Sequence, residues 1–209
     1  MTSDGFDIET LCRHWKVSAL AELTAHPNES HRAATAVIDL AERAAVRWTF
    51  NTGAIACGPG CGSCCQLNVA ILEPEADLLA RHLCRHLSAN RLQRMQEHLN
   101  RLAIRVSGLD DEERLACRIP CPLLDTGGNC SIHPVRPLMC RAITSTDAAA
   151  CREAFALAAL GETPRVLMNL RHRQIYAGAF EALATALAEA GRDDRSLPLI
   201  LFLREKLAG

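Results

Sequence analysis

Apolar residues return at intervals of three and four along most of the chain, the spacing that gathers them on one face of a helix. Within 7–24, Ile8, Leu11, Trp15 and Leu20 fall near one face, and His26-Pro27-Asn28 then breaks the run. Ser30 is placed to cap a second helix reaching about Thr49, with Ala33, Val37, Ala41 and Ala44 as a narrow stripe and Asn51-Thr52-Gly53 as its stop. A weakly alternating stretch, QLNVAILEP, reads as extended. Pro74 suits the first turn of a helix over 75–87 carrying Leu78, Leu79, Leu83 and Leu87. Ser88 is positioned to cap another over 89–106, through Leu92, Met95, Leu99 and Leu102. Further on, Thr144-Ser145-Thr146-Asp147 opens a helix from about 147 to Leu160, ended by Gly161. Thr163-Pro164 opens the next, reaching Ala190, and Ser196 caps a short terminal helix with Leu199, Ile200, Phe202 and Leu203.

Two stretches break this pattern. Residues 57–65 read CGPGCGSCC, and 107–144 carry Pro120, Pro122, Pro134 and Pro137, which exclude a long helix. Asp125-Thr126-Gly127-Gly128-Asn129 within the second reads as a turn whose amides the Asp125 carboxylate can hold. An irregular stretch of that length inside a compact domain needs an organiser, since its backbone cannot stabilise itself.

Composition supports the helical reading, because aromatics are only 4% while Ala and Leu abound. The 209 residues suffice for one sizeable core. The expected fold is mainly α: a single helical domain over 1–209, with irregular cysteine-rich loops organised around a metal centre. Its parts are N-terminal helices (1–54), a cysteine-cluster region (55–152) with a helical insert (75–106), and C-terminal helices (153–209). A formal charge of −1 offers nothing to nucleic acid, and no apolar run approaches the roughly 20 residues of a membrane helix. MTSDGFDIET carries acidic residues where a signal peptide carries basic ones, so the expected compartment is the cytoplasm.

Cysteine changes the picture most. Of the 11 cysteines, Cys57, Cys61, Cys64, Cys65, Cys117, Cys121, Cys130, Cys140 and Cys151 fall in or beside the two irregular stretches. The odd count and the cytoplasmic expectation argue against a disulfide framework. Thiols on short Gly/Pro-rich loops suit metal binding, because donors must converge and glycine lets backbone wrap tightly. Cys12 and Cys84 stand alone on helices and read as small buried hydrophobes. Arginines and histidines along 81–101 read as a solvated face. Walker, GxGxxG, GxSxG and HExxH motifs are absent from the sequence. Cys57-x3-Cys61-x2-Cys64 has the formal spacing of a radical-SAM cluster, but the flanking chain is helical where that barrel needs strands.

CGPGCGSCC together with CPLLDTGGNCSIHPVRPLMCR resembles the YkgJ-like CxxCxxCC cysteine-cluster family, described as a zinc- or iron-chelating domain. The likeness covers roughly 57–152: a doublet (Cys64, Cys65), then C-P-x-L at Cys121, C-S-I at Cys130, R-P-x-x-C-R at Cys140, and a last cysteine at Cys151. It implies Cys57, Cys61, Cys64, Cys65, Cys121, Cys130, Cys140 and Cys151 as metal ligands. Cys57 and Cys61 stand one residue further apart than the family spacing, and His133 replaces a common aromatic, read here as packing ahead of ligation. Cys117 is a possible ninth donor.

Tetrahedral zinc takes four thiolates, so eight imply two closed sites or a polynuclear centre, or else four hold an iron–sulfur cluster. Adjacent side chains diverge, so the Cys64-Cys65 doublet also favours more than one metal. Four thiolates on one divalent ion leave a net charge of about −2, which burial penalises. Arg136 and Arg141, inside the motif, are the cations expected to attend the cofactor, with Arg118 and Arg152 nearby in sequence. The expected function is therefore binding of zinc or iron. The alternative is an iron–sulfur enzyme like flagellin lysine methylase, transferring a methyl group or modifying a protein. Metal ions are the expected partners, and whether the chain is an enzyme stays open at this stage.

Overall fold

A computed structural model describes residues 5–49, 55–58, 60–158 and 166–208. The fold is mainly helical, as expected. Helix α1 (Ile8–Ala25) starts where Asp7 accepts the amides of Glu9 and Thr10 at 3.0 and 3.3 Å. Its buried residues Trp15, Ala19 and Leu23 recur every four positions. Helix α2 (His31–Thr49) buries a stripe of Ala33, Ala34, Val37, Ile38, Ala41, Ala44 and Ala45, whose small side chains let other helices approach closely. Both pack on α8 (Leu170–Glu189). At Gly178 of α8 an added Cβ would lie 2.7 Å from Cys12 Sγ, so glycine there seats α1, and Cys12, expected to be buried, packs half-buried against this core.

A second cluster joins α3 (Glu73–His86), α4 (Ala89–Val106) and α9 (Leu199–Ala208) through Leu79, Leu83, Leu99, Leu102, Phe202 and Leu203. Strands β1 (Ala70–Ile71) and β2 (Leu197–Pro198) pair antiparallel beside it, so QLNVAILEP is extended only briefly. The cysteine-rich segments touch both clusters. Ile119, Leu123 and Ile132 enter the second, while Leu138 and Ala142 of α6 (Leu138–Ala142) enter the first.

Several boundaries differ from expectation. Ser88 precedes α4 but makes no capping hydrogen bond. Helix α5 (Asp111–Ala116) interrupts the irregular 107–144 stretch, closed by reciprocal bonds between Asp110 and Glu113. The expected helix ends at Gly161 and Thr163-Pro164, and the stop at Asn51-Thr52-Gly53, lie outside the described residues. Residues 166–169 are not helical, so α8 begins at Leu170, where Asn169 Oδ1 accepts the His172 amide at 3.0 Å. Cys84 is exposed on α3, not buried. Most arginines of 81–101 face solvent. No helix among the described residues is long and apolar enough to cross a membrane.

Candidate metal centre

Three segments meet. The first loop turns at Cys61, whose amide donates to Gly58 O at 3.0 Å, and tightens into a one-turn 3-10 helix, Ser63–Gln66. The second segment is tied directly to it, the Cys121 amide donating to Cys65 O at 2.7 Å. Its turn forms as expected, with Asp125 Oδ1 accepting from the amides of Gly127 (2.9 Å) and Asn129 (2.8 Å). The tips of the two segments touch through glycines. Gly128 has φ +77, and a Cβ there would sit 3.4 Å from Gly60 O. The third segment joins at Ser145: its carbonyl accepts from Ala56 N at 2.8 Å and its amide lies 3.5 Å from Cys57 Sγ. Asp147 then caps α7 (Ala148–Ala158), accepting from Ala149 and Ala150, and α7 packs on the 63–66 turn.

These contacts surround a cavity of about 650 Å³ lined by Cys57, Cys61, Cys64, Cys65, Cys121, Cys130 and Cys140. Cys151 is outside that lining but lies within electrostatic reach of Cys57, from the first turn of α7. Cys117 is exposed at the end of α5 and does not line the cavity. His133 lines the cavity, though mostly exposed. Among the described residues, no three Cys, His, Asp or Glu side chains already stand in metal-ligand geometry. The chain thus gathers donors around one space, and ligation would have to draw them the rest of the way. Cys64 and Cys65 both lie on the 3-10 turn.

Five thiols of the cavity wall are pushed up. Cys64 is pushed up by its hydrogen bond to Cys65 and by burial, and burial also raises Cys57, Cys130 and Cys140. Burial pushes Cys121 up to about 11. Nearby cations work the other way. Arg136 favours the thiolates of Cys64 and Cys130, and Arg114 favours that of Cys121. Arg141 is mostly occupied structurally: Nε donates to Arg136 O at 2.7 Å, Nη2 to Pro134 O at 3.0 Å, and Nη1 pairs with Glu42. It still favours the Cys130 thiolate from that position.

The wall carries unspent polar atoms. Arg114 Nη1, Arg136 Nε, Thr144 Oγ1 and His172 Nδ1 are buried without hydrogen-bond partners, and all four residues line the cavity. Buried polar groups are normally paired, so four in one wall suit a ligand-filled space. Cysteine thiolates and imidazole are the donors zinc and iron take, so the residues present fit such a metal.

Sequence reading missed Arg114, His172 and Glu75. Glu75 is 1% exposed and bridges α3 to the cysteine segment, Oε2 accepting from Leu72 N (2.9 Å) and Oε1 from Leu138 N (2.8 Å). Burial raises its pKa to about 7. The Asp110 and Glu113 capping pair was a local signal for the helix carrying Arg114. His172 and Glu75 had none, since an ordinary amphipathic pattern surrounds both.

Residues 56–159 match the family model CxxCxxCC, described as a "Putative zinc- or iron-chelating domain". This segment is a CxxCxxCC domain. No curated protein and no solved structure matches the chain. The CxxCxxCC domain begins one residue before Cys57 and ends beyond Cys151, so it takes in every cysteine around the cavity. Chelation of zinc or iron is the chemistry that the family's description names.

Proposed function

We propose that the chain holds zinc or iron in this cavity through Cys57, Cys61, Cys64, Cys65, Cys121, Cys130, Cys140 and Cys151, and that it carries more than one metal ion. The observation that carries the reading is the approach of thiols from two separate chain segments, 57–65 and 121–140, to one cavity walled by arginines. One tetrahedral metal takes four donors, so the set exceeds a single closed site. Arg136 and Arg114 are the counter-cations of the thiolate centre, and Arg141 orients Arg136 by gripping its carbonyl. Described cysteines are all free thiols, which fits a reducing compartment such as the cytoplasm.

A second reading has one observation in its favour. A cavity of about 650 Å³ exceeds what metal ions fill and has room for a small substrate beside them. That is the iron–sulfur enzyme, transferring a methyl group or modifying a protein. Anaerobic purification followed by absorption spectroscopy and metal and sulfide analysis separates the two. Colourless protein with about two zinc ions per chain is expected for the binding protein. Brown protein with inorganic sulfide transfers the assignment to the enzyme. Protein that takes up neither metal refutes both.

A further inference from the structure

His172 lies beyond the matched residues 56–159, on the first turn of α8, yet it opens onto the same cavity as the thiols. Its Nε2 is 3.0 Å from the carbonyl oxygen of Arg141. A carbonyl can only accept, so Nε2 carries the proton and, in the neutral ring, Nδ1 is a bare acceptor. That Nδ1 is buried and has no hydrogen-bond partner. The ring is further fixed against Tyr176, with centroids 4.8 Å apart, and its backbone is pinned by the Asn169 cap.

Two features keep the ring in the form a metal needs. Burial, and secondarily the Arg136 guanidinium, disfavour the imidazolium. His172 and the cysteines Cys64 and Cys130 line the same cavity, and Arg136 acts on all three. A metal-bound histidine characteristically donates its other ring nitrogen to a backbone carbonyl or carboxylate, which fixes the tautomer and raises the basicity of the ligating atom. His172 already has that outer partner. His133 also lines the cavity, but it is exposed and no carbonyl among the described residues pairs with its ring.

We propose that His172 is a ligand of the metal centre, presenting Nδ1 as a nitrogen donor alongside the cysteine thiolates. The proposal rests on the metal-binding reading above and predicts a mixed sulfur–nitrogen shell where the cysteines alone predict sulfur only.

X-ray absorption on the zinc-loaded full chain, together with visible spectra of its cobalt(II) form, provides the test. A nitrogen scatterer in the wild-type shell is expected. His172→Ala should lose it, move the cobalt bands to lower energy, and weaken zinc at least roughly tenfold. Free imidazole added to that variant should restore the original bands. An all-sulfur shell in the wild type overturns the proposal whether or not the variant folds. So does an unchanged cobalt spectrum in folded His172→Ala, or a nitrogen lost with His133→Ala in its place. A wild-type chain that binds neither zinc nor cobalt overturns the metal-binding reading itself, a result distinct from these.

Discussion

Replacing Glu75 with glutamine should change how stability depends on pH, and the structure sets both sign and size. The carboxylate is 1% exposed and accepts two backbone amides, at 2.9 Å from Leu72 and 2.8 Å from Leu138. Those donors favour the anion, as does Arg141, but burial outweighs them and raises the pKa from 4.5 to about 7. A folded value above the unfolded one means the group's contribution is complete below about 4.5 and is lost as pH rises through about 7. That difference corresponds to about 3 kcal/mol. Glutamine cannot ionise, so it removes this slope. Its carbonyl keeps one amide satisfied, while its NH2 faces the other and leaves a buried donor unpaired, costing about 1–3 kcal/mol. Glu75→Gln should therefore be the less stable protein at pH 5 and equal to or more stable than wild type at pH 8. Urea unfolding of both at several pH values, with matched metal content, gives the difference. Thiols and histidines common to both proteins cancel in it. A gap that stays constant from pH 5 to 8 would show an ordinary carboxyl. One that widens with pH would show that the amide donors outweigh burial, and either result refutes the reasoning.

Three further outcomes are expected. Cys→Ser at 64, 65, 121, 130 or 140 should release metal, whereas Cys12→Ser, Cys84→Ser and Cys117→Ser should retain it, Cys12→Ser costing about 1–2 kcal/mol as a core change; metal stoichiometry under reducing conditions decides, and full retention in Cys65→Ser would contradict the donor set. Gly128→Ala forces a side chain onto φ +77 and against Gly60 O. It should cost about 1–2 kcal/mol in a thermal melt and loosen metal by separating the loop tips. Arg114→Met removes a buried guanidinium whose Nη1 is unpaired and which favours the Cys121 thiolate. Metal-free protein should be as stable or more so, while chelator competition should show metal held roughly tenfold more weakly; equal affinity would remove Arg114 from the site.

The helices were legible in the chain because helix formation and amphipathic burial depend on residues three and four apart. The Ala33-to-Ala44 stripe and Pro74 each act within a turn of their own position, and the structure uses them as read. The cysteine motifs were legible for a related reason: spacing and glycine content within one loop already limit what the thiols can do. Where the reading failed, the deciding partner lay far off in sequence. Extending α8 back to Thr163 overlooked the Asn169 cap, and taking Cys84 as buried assumed a neighbour that α3 does not meet. Only the tertiary fold could place Glu75 under Leu138, Arg114 beside Cys121, and His172 against the Arg141 carbonyl. Each is a long-range meeting between a side chain in an ordinary helical pattern and a group on another segment. Its meaning comes from burial: the same glutamate, arginine or histidine in water would be paired by solvent, and none of them would mark a site.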